Sequence, residues 1–325
     1  MAALPVLTIL PVCALAALVL LSVLAPEVAR SLALPVAVAG AAVGIPHGAV
    51  DHLVPWWWSE QRVAARPHPG RLRLTVFVVA YAAAAGLAFA ASLAVPTVTY
   101  VVFLLLSSLH FGRGEVVTNA ERAGRPVPGP RQEWATTLAP GLVVVGLLLW
   151  ARPADTDVLL RPVSPVLADA VSATATSGLV VVGAAVLLAL AVQLRRRRVL
   201  DAAELSLLVV AFAVAPPLAA FGLWFGLWHA VRHTGRLLDL ARTDSAQIPS
   251  ARDWRRAVRR LTVAGALPTV IALGAVAVLW AVHEQAGLRA EIGILLALTF
   301  PHTAVVGAWD RHQSRRAPAT PTLTP

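Results

Sequence analysis

The chain has 325 residues, of which 58% are hydrophobic and 14% are charged, and its mean hydropathy is +0.73. Soluble globular domains carry about a quarter of their residues as charged side chains, so this composition excludes an ordinary water-soluble protein. The formal net charge of +10 comes from arginines in short segments between apolar runs, a pattern that indicates membrane topology and excludes a nucleic-acid-binding surface.

The first apolar run, Leu4 to Ala25, is predicted to be a transmembrane helix. About 20 apolar residues span a bilayer, and no basic residue precedes this run, as one would in a secretory signal peptide, which is the alternative interpretation. Cys13, the single cysteine, lies within the run. It therefore offers neither a disulfide framework nor a cysteine-based metal site.

Nine further apolar stretches give ten candidate membrane spans and predict an all-α, polytopic transmembrane helix bundle. They run approximately from Leu32 to Pro55, Leu72 to Val95, Thr97 to Phe111, Trp134 to Ala151, Ser177 to Leu194, Ala203 to Ala215, Leu218 to Leu238, Leu261 to Val282 and Ile292 to Trp309. Two boundaries stay open, because Val95-Pro96 and Pro216-Pro217 either separate two helices or kink one.

Arginine placement agrees with ten spans, because the positive-inside rule predicts that alternate loops are arginine-rich. One set of loops carries Arg62, Arg66, Arg71 and Arg73, then Arg113, Arg122, Arg125 and Arg131, then Arg195 to Arg198, then the run Arg236 to Arg260, then Arg311, Arg315 and Arg316. The other set carries only Arg30, Arg152, Arg161 and Arg289. We therefore expect a multi-pass protein of the cell membrane with both termini in the cytoplasm.

One transmembrane catalytic domain is expected over residues 1–313. The longest polar loops, near Gly112 to Glu133 and Thr234 to Arg260, are too short to form a core of their own. The proline- and threonine-rich tail over residues 314–325 is expected to be disordered. The three tryptophans at positions 56–58 fit the aromatic belt at a membrane surface.

Six of the nine histidines fall inside predicted spans. His68 and His312 lie in arginine-bearing polar segments and His283 lies in a short outer loop, so these three are set aside. The six intramembrane histidines are His47 and His52 on the second span, His110 on the fourth, His229 and His233 on the eighth, and His302 on the tenth.

All six lie on even-numbered spans, in the later half of each span. Even-numbered spans cross in one direction, so histidines about 11 to 15 residues from the start of a span lie within roughly one helical turn of each other in depth. His229 and His233 project from one helix face, a spacing that lets two imidazoles hold one ion. The pattern predicts a shared metal site, whereas each histidine alone fits an interhelical hydrogen bond equally well.

The ligand type restricts the metal, because imidazole suits iron, copper, zinc and nickel and no thiolate is available. Asp51 and Glu115 are the carboxylates placed to hydrogen-bond the outer nitrogen of a ligating imidazole. The alternative for each is an interfacial charge near Arg62 or Arg113. Histidines on a redox metal favour oxygen chemistry, and the bilayer favours a lipophilic substrate.

Four motifs carry a family resemblance. They are G-I-P-H-G-A-V-D-H at Gly44 to His52, S-L-H-F-G at Ser108 to Gly112, W-H-A-V-R-H at Trp228 to His233, and F-P-H at Phe300 to His302. In this order and spacing, the set resembles the Brp/Blh family of membrane β-carotene 15,15′-dioxygenases.

The resemblance implies an iron(II) enzyme that uses O2 to cleave the central 15,15′ double bond of β-carotene into two molecules of all-trans-retinal, often as the chromophore of a microbial rhodopsin. The family's proposed iron ligands match His47, His110, His229 and His233. His52 and His302 fall in the family's motifs without an assigned role. Glu115 stands where an acidic residue is expected after the family's H-F-G.

Four aromatic residues on the eighth span lie roughly a turn apart in pairs and are candidates for lining a substrate tunnel. They are Phe221, Trp224, Phe225 and Trp228. The alternative is ordinary helix packing.

Four other functions fit parts of the pattern. A membrane di-iron desaturase or hydroxylase usually needs about eight or more histidines in several boxes, and this chain offers six with a single H-x-x-x-H. A haem-binding bundle would use His229 or His302 as axial ligands. A carotenoid carrier or transporter would use the histidines in a proton or substrate path. An oxygenase acting on another polyene would keep the same metal site.

Overall fold

The computed structural model describes residues 4–60, 70–129, 131–242, 251–282 and 287–315. The described residues form helices, with no strand among them. The α-helices are α1 (Leu4–Leu24), α2 (Pro26–Ser31), α3 (Ala33–Gly44), α4 (Val54–Glu60), α5 (Arg71–Ala94), α6 (Pro96–Arg122), α7 (Trp134–Leu142), α8 (Leu148–Trp150), α9 (Pro153–Leu160), α10 (Pro165–Ala173), α11 (Ala175–Arg195), α12 (Val199–Val214), α13 (Pro217–Leu223), α14 (Val231–Ala241), α15 (Ala251–Val282) and α16 (Gly287–Ser314). A 3₁₀-helix covers Ile45–Gly48, and π-helical segments cover Val143–Leu147 and Trp224–Ala230.

Several helices are long and apolar enough to cross a membrane, as expected where every backbone polar group must be paired within the chain. Five helical stretches of the described chain meet this requirement: Arg71–Ala94, Pro96–Arg122, Ala175–Arg195, Arg252–Val278 and Ile292–Ser314. A sixth arises if Trp134–Trp150 and Pro153–Leu160, bent by 86°, count as one broken span. Shorter apolar helices cover Thr8–Leu24 and Ala33–Gly48.

Both open proline boundaries separate two helices. Val95 has φ −136° and ψ 61°, and Pro96 then occupies the first turn of α6. Ala215 and Pro216 are extended, with ψ of 156° and 134°, before α13 begins at Pro217. Proline suits the first turn because its missing N–H would have had no helical partner there.

The second predicted span, Leu32 to Pro55, is wrong as a single helix. Its α-helical part ends at Gly44, a 3₁₀ turn follows, and α4 starts only at Val54. Pro46 lies in the turn and has no N–H with which to continue the α-helical hydrogen bonds. His47 lies in this turn, and the turn determines where its side chain points.

The two predicted polar loops are also largely helical. The α6 helix continues to Arg122, α14 reaches Ala241, and α15 starts at Ala251. Many of their charged side chains are buried in ion pairs inside the bundle, as described below. Two short helices, α9 and α10, replace the predicted connection before α11.

Close backbone contact brings α3 against α13 and the π-helical segment that follows it. A Cβ atom on Gly40 would overlap the carbonyl of Gly222, and one on Gly222 would overlap the backbone of Ala37. Small residues of this kind let membrane helices approach closely. The contact places the segment that carries His47 beside the segment that carries His229.

The buried apolar residues form two clusters. The larger one includes Trp224, Trp228 and Phe111, and the smaller one includes Val50 and Trp57. Trp57 is therefore a core residue, whereas a place in a surface aromatic belt was predicted. The predicted surface residues His68 and His283 and the tail residues 316–325 lie outside the described residues.

Candidate metal centre

Five of the six intramembrane histidines converge in the interior, and we call them the histidine cluster. They are His47, His110, His229, His233 and His302. Neighbouring ring centroids lie between 4.7 and 6.4 Å apart. In all five rings the Nε2 atom is buried and has no hydrogen-bond partner. Buried polar atoms are normally paired, so five orphaned nitrogens of one type in adjacent rings indicate a shared ligand.

The ring spacing suits one ion. A metal–imidazole bond is about 2.1 Å, so the centroids of two rings on one metal lie about 4.6 Å apart at right angles and about 6.5 Å apart when opposite. The observed centroid distances fall within this range. Within the described residues, however, no three His, Cys, Asp or Glu side chains already have the geometry of a metal site. Coordination would therefore require the side chains to adjust.

The first motif positions His47 through its two flanking glycines. The Nδ1–H of His47 donates to the carbonyl oxygen of Gly44, which leaves the Nε2 lone pair free. A Cβ on Gly44 would overlap the ring of Phe225, whose centroid lies 5.6 Å from that of His47. A Cβ on Gly48 would come within 3.3 Å of Nδ1 of His302. Both glycines thus give the cluster room.

Asp51 hydrogen-bonds a histidine of the cluster. Its Oδ2 atom accepts a bond of 2.8 Å from Nδ1 of His302 and one of 2.9 Å from the hydroxyl of Tyr81. This fixes the His302 tautomer with Nε2 unprotonated, the usual arrangement behind a metal-ligating histidine. His52, by contrast, is half-buried and makes no ring contact with the cluster among the described residues. The sequence did not reveal Tyr81, which lies on a different predicted span.

The second motif places His110 and Phe111 on α6. The Phe111 ring lies 4.7 Å from Trp224 and 5.0 Å from His229, between centroids, so it covers one side of the cluster with apolar surface. A Cβ on Gly112 would overlap the carbonyl oxygen of Thr137. Gly112 therefore allows α6 to lie directly against α7.

His229 lies within the π-helical segment Trp224–Ala230, and His233 follows in α14. Their rings are nearly parallel, with an interplanar angle of 12° and centroids 6.4 Å apart. Short π-helical segments cost helical regularity and occur frequently at functional sites. Here the segment widens the turn that presents His229.

Glu115 makes no hydrogen bond with a histidine among the described residues. Its carboxylate accepts a hydrogen bond of 2.8 Å from the indole N–H of Trp228 and one of 2.9 Å from Arg232. The alternative interpretation was an interfacial charge near Arg113, and in the structure the Glu115 carboxylate is buried. Arg232 lies over the Trp228 ring at 3.9 Å and donates to Glu204 at 2.8 Å. Sequence reasoning assigned no role to Arg232 or Glu204.

This contact extends into a buried ion-pair network. Arg122 pairs with Glu204 and, at 3.1 Å, with Asp201, which also pairs with Arg125 at 2.9 Å. Three carboxylates thus balance three guanidinium groups, as burial of charge requires. We call the six residues the α12 network; they are Glu115, Arg122, Arg125, Asp201, Glu204 and Arg232.

A second set of buried ion pairs, centred on Arg236, lies next to His233. Arg236 donates to Glu121 at 3.0 Å and to Asp310 at 2.6 Å, and it stacks over the Trp309 ring at 4.3 Å. The Trp309 ring lies 6.0 Å from that of His233. Arg236 was counted as a loop arginine in the topology argument, but it is buried and holds α14, α6 and α16 together.

The four aromatic residues proposed for a tunnel take different positions. Phe221 and Phe225 stack with centroids 5.7 Å apart, and Trp224 lies 5.4 Å from His229. Trp228 instead contacts the α12 network. Trp224 and Trp228 are fully buried. The cluster is therefore surrounded by aromatic rings on one side and by buried ion pairs on another.

Comparison with known proteins places the chain in a family. A family model described as "Beta-carotene 15,15'-dioxygenase" matches residues 38–310, a range that contains the whole histidine cluster. A protein of Halobacterium salinarum described as "Probable beta-carotene 15,15'-dioxygenase Blh" is 39% identical over 121 residues, which is 35% of this chain and 34% of that relative. The match thus spans about a third of the length of the curated relative. No solved structure matches the chain. Because the family model covers most of its length, the chain belongs to the β-carotene 15,15′-dioxygenase family.

Proposed function

We propose that this protein cleaves the central 15,15′ double bond of β-carotene with O2 and releases two molecules of all-trans-retinal. The observation that carries the proposal is the set of five unpaired, buried Nε2 atoms in a chain of this family. In the overall reaction the C15=C15′ bond breaks and each carbon gains one oxygen atom as an aldehyde, so atoms balance without a further reductant.

The proposed cofactor is iron(II), held by His47, His110, His229 and His233. His302 is a candidate fifth ligand, because its Nε2 atom is also buried and unpaired and its Nδ1 is bound by Asp51. An all-imidazole donor set suits iron and leaves it room for further ligands. When bound, the ion would supply the redox chemistry with O2 that no side chain of the cluster offers.

The surrounding side chains would bind and orient the polyene. Phe111, Trp224 and Phe225 cover the cluster with apolar surface, which favours a hydrocarbon substrate and excludes water. A symmetric C40 polyene is cleaved at its centre only if about half its length extends on each side of the reacting position. Phe221 stacks on Phe225 and extends the same aromatic region. Trp228, the fourth residue of the proposed tunnel lining, contacts the α12 network and would support this region from behind.

The proposed setting is the cell membrane. The apolar helices support passage through a bilayer, where β-carotene dissolves. The arginine distribution supports ten spans with both termini in the cytoplasm. We place the catalytic domain within residues 1–313, the part of the chain that holds all the predicted spans. Retinal released in the bilayer would be available to a microbial rhodopsin.

Expression of the full chain in bacteria that already make β-carotene tests the proposal. We expect the orange pigment to disappear and two molecules of retinal to form for each β-carotene consumed, as measured by chromatography. Cells without the chain are the control. Untouched pigment with iron in the purified protein would indicate another polyene substrate, and untouched pigment without iron would favour a carotenoid carrier.

Replacing Asp51 with asparagine is expected to weaken metal binding by about 10- to 100-fold, because the His302 ring loses its charged acceptor. Tyr81→Phe, which removes one hydrogen bond to the same carboxylate, should give a smaller loss in the same direction. Titration of the purified protein with iron(II) under anaerobic conditions measures both. Asp169→Asn, at an exposed aspartate, is the matched control. Unchanged metal affinity in Asp51→Asn would show that the carboxylate does not support a ligand.

A further inference from the structure

The amino-terminal part of α15 forms a strongly basic cleft with α4 and the turn before it. Five arginines line it together with four apolar residues, and its volume is about 840 Å³. The lining residues are Leu53, Trp57, Arg252, Arg255, Arg256, Arg259, Arg260, Val263 and Ala264. None of the lining residues is acidic. Its lining contains no residue of the histidine cluster, and the proposed reaction does not use it.

Four of these five arginines lack an ion-pair partner within the part of the chain that the structure describes. Arg252, Arg255, Arg256 and Arg259 make no ion pair with any acid of the described residues. This contrasts with the buried arginines of the α12 network, each of which pairs with a carboxylate. Guanidinium groups bind phosphate through paired, charge-assisted hydrogen bonds, so an uncompensated cluster favours a phosphate-bearing ligand.

The surface next to the cleft is apolar. Val263, Leu267 and Ile271 are 71%, 69% and 62% exposed and recur every four residues, so they form one stripe along α15. The stripe starts where the arginines end and belongs to a stretch long and apolar enough to span a membrane. A ligand that satisfies both surfaces has an anionic head and a hydrocarbon tail.

We propose that this cleft binds the headgroup of an anionic phospholipid, with the acyl chains along the Val263–Ile271 stripe. The arginines hold the phosphate, and the apolar edge formed by Leu53 and Val263 contacts the glycerol and upper chain region. Trp57 is fixed in place because Arg260 lies over its ring at 4.8 Å. A basic residue at an anionic membrane surface contributes about a fivefold gain in binding.

The test uses the purified full chain after removal of co-purified lipid, titrated with phosphatidylglycerol or phosphatidylcholine, with bound lipid counted by native mass spectrometry. We expect preferential binding of phosphatidylglycerol, and a loss of about 25-fold in the double variant Arg255→Gln/Arg259→Gln. The matched control, Arg195→Gln/Arg197→Gln, removes two exposed arginines elsewhere and should change binding less than about twofold.

Three results would overturn the proposal. Equal losses in both double variants would mean a diffuse surface charge without a defined site. Equal binding of the two lipids by the unaltered protein would mean that the arginines do not select a headgroup. Complete displacement of phosphatidylglycerol by soluble glycerol phosphate would mean that the site takes phosphate alone. Retained helical content in both variants, measured by circular dichroism, keeps the comparison valid.

Discussion

Replacing His229 or His233 with alanine should abolish both iron binding and β-carotene cleavage while the protein still inserts into the membrane. Each replacement removes a buried Nε2 donor from the cluster, and His47, His110 and His302 cannot fill its position because they lie on other segments of the chain. Iron content of the purified variants, measured by mass spectrometry, and retinal formation in carotene-producing cells are the two readouts.

His52→Ala is the control for these variants. His52 lies in the same motif as His47 but makes no ring contact with the cluster among the described residues, so its removal should preserve bound iron. If the His229 and His233 variants both retained iron and activity, the proposed metal centre would be wrong. Loss of iron in the His52 variant as well would indicate that the metal lies nearer that residue.

Replacing Arg232 with methionine should destabilise the protein by about 3–5 kcal/mol, because removing one partner of a buried ion pair leaves uncompensated charge. Arg232 is 3% exposed and pairs with both Glu115 and Glu204. Methionine keeps much of the apolar volume over the Trp228 ring. The decrease in stability therefore reports mainly the removal of the positive charge. Unfolding by denaturant in detergent micelles measures the change.

Two further variants identify the cause. Arg232→Met combined with Glu115→Gln should recover part of the lost stability, since one of the stranded carboxylates is then neutral. Arg161→Gln, at an exposed arginine that pairs with Asp157 and Asp169, should leave stability unchanged. A small effect in Arg232→Met, similar to that in Arg161→Gln, would contradict the importance assigned to the α12 network.

The position of the histidines was the most predictable feature of the molecule. Their restriction to even-numbered spans predicted that they would meet, and five of the six do. His52 is the exception: it follows the 3₁₀ segment Ile45–Gly48 that carries His47, and it lies outside the cluster. Residues five apart also project from different faces of a regular helix. Hydropathy alone gives no signal for such a break, although Pro46 between two glycines is a hint.

The buried ion pairs were not predictable in the same way. Arg232, Glu115 and Glu204 lie on different segments far apart in sequence, and no spacing along one helix reveals that they meet. Counting Arg113 and Arg122 as loop charges also ended the fourth predicted span at Phe111, whereas α6 continues to Arg122. The available signal was that Glu204 interrupts an apolar run, which is costly unless a buried partner neutralises it.

The most direct test of the central claim is reconstitution of the purified chain. The protein is stripped of metal, loaded with iron(II) under anaerobic conditions and given β-carotene, and O2 is then admitted. We predict that retinal forms only with iron and O2 together, with two molecules for each β-carotene consumed, and that zinc(II) in place of iron gives none. Retinal formation by the metal-free protein, or intact β-carotene in the fully loaded protein, would contradict an iron-dependent central cleavage at the histidine cluster.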